Sequence, residues 1–186
     1  MKEHTMIQII VVNGMPDCGK TTFERYCMKK LAPYADMYST VDFVKEVAAM
    51  CGWDGTKTLE NRAFLSDLKD LLTQWNDIPF KKVESKAIQF ENELSCWGLN
   101  DKVAYLFVDC REPNEIQRLC DELDAISVCV RRSEVENQTT SNHADSDALN
   151  YRYDYTLYNE DDLSHFYNVI DDFLTVLQSD AVADTI

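Results

Sequence analysis

Positive charge is nearly absent from the final third of the chain. Of 18 lysines and arginines in 186 residues, only Arg152 lies beyond Ser133, against 12 of the 33 acidic residues, so this third carries −11 of a formal net charge of −15. A surface of that sign suits nucleic-acid backbone poorly, because such binding is driven by Lys and Arg displacing counterions, and polymeric nucleic acid is not expected as a partner. The seven cysteines (Cys18, Cys27, Cys51, Cys96, Cys110, Cys120 and Cys129) include no C-x-x-C pair. An odd count at irregular spacing argues against both a disulfide framework and a structural zinc site, and they read as reduced, mostly buried thiols. The N-terminal apolar run covers only residues 6–12 and has no small-residue cleavage site after it. That is far short of the roughly 20 residues that span a bilayer, so neither a signal peptide nor a membrane span is expected, and the location is expected to be cytoplasmic. Internal repeats and low-complexity segments are also missing, and His4, His143 and His165 lie too far apart to suggest a metal or a catalytic triad.

What remains is an alternation of short β-branched runs and helical periods. Ile7 to Val12 reads as a buried central strand ending at Asn13-Gly14. Thr21 to Leu31 predicts a helix stopping before Pro33, Met37 to Thr40 a short strand, and Val41 to Ala48 a helix capped by Ser39 or Thr40. Apolar residues at Leu65, Leu68, Leu71, Leu72 and Trp75 give Thr58 to Trp75 a helical period, and Pro79 to Trp97 continues with proline in its first turn. Val103 to Val108 is the next strand, Pro113 to Leu123 a helix, and Ile126 to Val130 a strand. Ser133 to Asn150 reads as a long polar loop, Asp154 to Leu157 as the last strand, and Asp161-Asp162 as the opening of a final helix. The pattern implies one α/β domain over residues 5–178, a three-layer α/β/α arrangement around a parallel sheet, with 179–186 as an acidic tail.

Gly14-Met15-Pro16-Asp17-Cys18-Gly19-Lys20-Thr21 fits G-x-x-x-x-G-K-[ST] between a strand and a helix. Such a P-loop turns successive N–H groups and a helix N-terminus into one concavity for phosphate oxygens, with Lys20 for the β- and γ-phosphates and the Thr21 hydroxyl for Mg²⁺. Cys18 is read as filling space. Asp109 ends an apolar strand, where P-loop proteins hold Mg²⁺, and Arg111 follows at the same carboxyl end. Arg131 and Arg132 end another strand: either one meets the transferring phosphoryl group, or the pair is solvated and bridged to acids such as Glu134. Asp42, Lys45, Lys57 and Arg62 are the cations and carboxylate available to an acceptor after the second strand, each alone being more readily a solvated surface charge.

Together with Phe107-Val108-Asp109, Arg111-Glu112-Pro113, Glu115-Ile116 and the stretch Asn150 to Asn159, the P-loop resembles the P-loop kinases of small phosphorylated metabolites in the adenylate-kinase-like group. The phage-type deoxynucleoside monophosphate kinases and the animal-type phosphomevalonate kinases are the nearest in pattern. The resemblance implies a five-stranded parallel sheet, an acceptor-binding helical region at about 37–98 and a short lid at about 133–150. It also implies that ATP is held by Gly14, Asp17, Cys18, Gly19, Lys20, Thr21 and Thr22, and Mg²⁺ by Thr21 and Asp109. Lys20, Arg111 and Arg132 would serve the transferred group, and Asp42, Lys45 and Arg62 the acceptor. The expected function is ATP- and Mg²⁺-dependent phosphoryl transfer to a small phosphorylated acceptor, a nucleoside monophosphate foremost. The alternatives are a kinase of another small metabolite, and an ATP-binding regulatory module. The latter is suggested by the absence of Lys and Arg from Ser133 to Asn150. A GTPase is disfavoured because no N-K-x-D occurs.

Overall fold

The computed structural model describes residues 6–99, 102–136 and 149–183. Five strands, β1 (Ile7–Asn13), β2 (Ala35–Ser39), β3 (Ala104–Asp109), β4 (Ile126–Arg131) and β5 (Tyr155–Tyr158), form one sheet in the order β2-β3-β1-β4-β5. Every pairing is parallel, with Val12 opposite Asp109 and Ser39 also opposite Asp109. Parallel neighbours need crossovers, which are supplied by α1 (Lys20–Leu31), α2 (Asp42–Met50), α3 (Leu59–Asn76), α4 (Ile78–Cys96) and α5 (Pro113–Leu123). The one-turn α6 (Ser133–Glu136) follows β4, and α7 (Leu163–Ala183) follows β5.

The period-2 alternation of the central strands divides the core into two layers. Ile10, Val12, Phe107, Val128 and Val130 face α1 and α7, where Phe23, Cys27, Phe166, Ile170 and Phe173 complete one cluster. Ile9, Val11, Leu106 and Val108 face the other way, onto Val83 of α4 and Ile116 and Leu119 of α5. Phe23 meets the Phe107 ring edge-on at a centroid distance of 5.9 Å. Burying a side chain of this kind is worth about 1.5–3 kcal/mol, so the two layers fix the ends of β1 and β3 rigidly side by side.

The three-layer α/β/α arrangement and the five-stranded parallel sheet are as expected, while several local expectations need correction. β2 starts at Ala35 rather than Met37. Neither Ser39 nor Thr40 caps α2; the cap residue is Val41, and the Asp42 carboxylate instead accepts the Ser39 N–H at 3.0 Å. The segment read as a loop from Ser133 opens with the helical turn α6, and 137–148, most of the expected lid, lie outside the described residues. α7 continues past Gln178 to Ala183, so the expected tail starts as helix. α3 has the predicted span but no fully buried residue: Leu65, Leu68 and Leu72 are half-buried, and Leu71 and Trp75 are 62% and 80% exposed.

Candidate phosphate-binding site

β1 delivers the chain to the carboxyl edge of the sheet at Asn13, which is fully buried and satisfied on every side. Its carbonyl oxygen Oδ1 accepts the Gly14 N–H at 2.8 Å, and Nδ2 donates to the Arg111 carbonyl at 3.2 Å and to the Tyr153 hydroxyl at 2.8 Å. Gly14 then turns at φ 144°, where a Cβ would lie 2.2 Å from the Val130 carbonyl oxygen of β4. Only glycine fits this crossing of β1 over β4. The loop closes with the Cys18 N–H on the Met15 carbonyl at 3.4 Å and with Gly19 at φ 111°, immediately before α1. Met15 and Cys18 are buried beneath it, while Asp17 is exposed at φ 60°.

Lys20 folds back over this loop. Its Nζ donates to the Gly14 carbonyl at 2.5 Å and the Met15 carbonyl at 3.0 Å. A primary ammonium has three donors, so it can bridge the loop and still present a charge to an anion. Thr21 is exposed and Thr22 half-buried in the first turn of α1, where the leading N–H groups have no helical partner and the helix dipole favours negative charge. Burial pushes the Cys18 thiol up, against the lesser pull of Lys20, so it stays protonated and fills space.

Opposite the loop stands Asp109 at the end of β3. Its main-chain carbonyl accepts the Thr40 N–H at 3.1 Å, but its side-chain Oδ1 is buried with no hydrogen-bond partner among the described residues. A buried, unpartnered carboxylate oxygen is costly alone and well matched to a hard cation. Asp109 and the exposed Thr21 hydroxyl are the residues that would hold Mg²⁺ here.

One more acid belongs here, and the sequence reading missed it. Glu24, one turn beyond Thr21 on α1, is 5% exposed. Burial, and after it the negative charge of Asp109, raises its carboxyl from 4.5 to about 7; Lys20 pulls it down and Asp42 adds to the rise. The only signal in the sequence was an acid interrupting the Phe23, Cys27, Leu31 face of α1, spaced as i, i+4, i+8.

The expected acceptor residues are distributed as follows. Asp42 and Lys45 are brought to each other, Nζ to Oδ1 at 3.2 Å, at the start of α2. Arg62 is exposed on α3 and forms no ion pair with a described residue. It lies on the same helical face as Lys69, seven residues on, and Lys69 reaches Glu115 of α5 at 2.6 Å. Lys69 is the more buried cation, 13% exposed at its side chain, and was not singled out in the sequence. Arg132 Nη2 pairs with Glu134 at 2.5 Å, the solvated-pair alternative, though its Nε is buried with no partner among the described residues; Arg131 forks onto Glu136 at 2.7 and 2.6 Å. Arg111 is exposed at the sheet's carboxyl edge. No described helix is long and apolar enough to cross a membrane.

A parallel sheet in this order, a glycine-cornered loop from β1 into α1 and a carboxylate at the end of β3 define the P-loop kinase fold. Solved structures agree. Shikimate kinase from Aquifex aeolicus superposes at a TM-score of 0.54 over 94% of this chain and 99% of its own, at 14% identity. Thymidylate kinase from Ehrlichia chaffeensis does so at 0.51 over 93% and 100%, at 13% identity. At such identities the likeness is one of fold. No protein-family model and no curated protein sequence matches the chain.

Proposed function

We propose that this protein is a phosphotransferase that moves the γ-phosphoryl group of ATP, with Mg²⁺, onto a small phosphorylated acceptor, a nucleoside or deoxynucleoside monophosphate. The observation that carries the reading is a buried Asp109 oxygen with no partner among the described residues, at the end of β3, on the same carboxyl edge of the sheet from which Lys20 folds back over its own loop. One group holds phosphate charge and the other holds the cation that neutralises it. When bound, Mg²⁺, held by Asp109 and Thr21, would supply neutralisation of the phosphate charge.

The loop N–H groups and the α1 N-terminus bind the phosphates, and Lys20, still bridging the loop, turns its remaining donor to a phosphate oxygen. Arg111 and Arg132 are assigned to the transferred group, the latter after releasing Glu134. Asp42, Lys45 and Arg62 line the acceptor side, with Lys69 behind them. An acceptor phosphate is already an anion and needs no strong base, so positioning and charge compensation suffice.

The test is ADP release, coupled to a spectroscopic assay, over a panel of nucleoside monophosphates, phosphomevalonate and other small phosphates. Acceptor-stimulated release by the wild type and its loss in a folded Lys20→Ala variant are expected. Tight ATP binding with no acceptor stimulation points instead to a nucleotide-sensing module, and turnover retained in Lys20→Ala sinks the assignment.

A further inference from the structure

Asn159, the first residue after β5, touches the phosphate loop from outside. Its main-chain N–H donates to the Arg131 carbonyl at 2.8 Å, which anchors the residue to the end of β4. Its side chain reaches back, Nδ2 donating to the Cys18 carbonyl at 3.0 Å. A carbonyl only accepts, so the facing atom has to be the amide nitrogen. The approach is close: a Cβ on Gly19 would sit 2.6 Å from that same nitrogen. Glycine at 19 therefore serves the contact as well as the turn.

The Cys18–Gly19 peptide is a rigid trans unit, so its C=O and N–H point in opposite directions. Fixing the carbonyl outward on Asn159 sends the Gly19 N–H inward, and that N–H donates to no described residue. Glycine is the residue whose peptide unit reverses most readily, since both signs of φ are open to it. Without a restraint, the last peptide before α1 is free to present an oxygen where a phosphate needs a donor.

We propose that Asn159 is a positioning residue of the nucleotide site, holding the Cys18 carbonyl outward so that the Gly19 N–H stays available to a phosphate oxygen. The inference rests on the ATP-binding reading above. It assigns a role in ground-state phosphate binding to a residue on the far edge of the sheet, contributed by β5 rather than by the loop.

The experiment compares MgATP binding, by calorimetric titration, in wild type, Asn159→Ala and Asn159→Asp, each checked for a native far-UV spectrum and melting transition. Losing the amide leaves the peptide unrestrained, and affinity falls about tenfold, the scale of one lost hydrogen bond. A carboxylate oxygen against the Cys18 oxygen does more: relief comes by turning the peptide so that the Gly19 N–H faces the carboxylate, and affinity falls about a hundredfold or more. The KM for the acceptor stays unchanged in Asn159→Ala. Equal affinity in wild type and Asn159→Ala overturns the role, as does a loss shared equally by ATP and acceptor, the mark of general loosening. Should Asn159→Asp fail to fold, the Ala comparison decides alone. If the wild type itself does not bind MgATP, the nucleotide reading falls and takes this role with it, an outcome distinct from the others.

Discussion

The guanidinium of Arg118 on α5 forks onto the carboxylate of Asp77, Nη1 to Oδ1 at 2.7 Å and Nη2 to Oδ2 at 2.6 Å, with its Cζ 3.9 Å from the centre of the Phe80 ring. Asp77 is the residue between α3 and α4, held at φ 54°, so this pair ties the corner of those two helices to α5. Side-chain exposures of 39% and 27% keep the pair near the surface, which limits its worth. Bidentate geometry and the ring beneath the guanidinium place it at the upper end of surface pairs, about 1 kcal/mol.

Arg118→Ala is therefore expected to cost about 1–2 kcal/mol by urea denaturation, with a coupling of about 1 kcal/mol to Asp77→Ala in a double-mutant cycle. In the proposed reaction it raises the acceptor KM more than the ATP KM, since α3 and α4 are the elements released. Equal changes in both constants would show that the pair holds the domain as a whole and not the acceptor side.

Glu24 makes stability depend on pH in a definite direction. Its folded carboxyl titrates at about 7 and its ordinary value is 4.5, so between those values the folded chain holds a proton that the unfolded chain has released. Stability then falls as pH rises through this window, by on the order of 3 kcal/mol, and the loss is complete above pH 7. Glu24→Gln keeps the shape and removes the titration. The variant is expected to match the wild type near pH 4.5 and to be more stable at pH 8, read from urea melts at several pH values. Parallel curves for the two proteins would remove the claim.

Asp109 is expected to be functional at the expense of stability. Its buried Oδ1 has no described partner, and its charge raises the Glu24 carboxyl. Asp109→Asn relieves that repulsion, so stability is retained or rises by up to about 1 kcal/mol, while the Mg²⁺ concentration needed for half-maximal turnover increases and kcat falls by about a hundredfold. A structural carboxylate would behave oppositely, with stability lost and Mg²⁺ dependence unchanged, and titrating Mg²⁺ against initial rate distinguishes the two.

The order of strands and helices and the phosphate loop were legible because each rests on local signals. The runs Ile7 to Val12 and Val103 to Val108 read as buried central strands because they are almost continuously apolar, and Gly14 and Gly19 punctuate the motif. What stayed hidden depends on distance in three dimensions. The period of Leu68, Leu71 and Trp75 predicts a helix but not whether anything packs on it, and α3 is left with no buried residue. The partners of Asn159 and Lys69 lie 141 and 46 residues away in sequence, so no window along the chain contains both ends. Composition and position did not separate Arg131 from Arg132; in the fold Arg131 forks onto Glu136, while Arg132 pairs with Glu134 and keeps a buried Nε with no described partner.

Two glycines with similar backbone strain should respond very differently to alanine. Gly52 has φ 96° and nothing within 4 Å of a built Cβ, so Gly52→Ala meets only the conformational penalty of a positive φ, about 1–2 kcal/mol. Gly14 has φ 144° and a Cβ position 2.2 Å from the Val130 carbonyl oxygen, a main-chain atom of β4. A side chain there cannot be accommodated by a rotamer change; β1 and β4 have to separate, and with them the loop whose carbonyl Lys20 holds. Gly14→Ala should lose more than 3 kcal/mol in urea denaturation, and any folded fraction should show no measurable MgATP binding. Gly52→Ala, far milder, should bind MgATP as the wild type does. Comparable stabilities for the two variants would mean that β4 yields easily at Val130, and the rigidity assigned to the loop would have to be withdrawn.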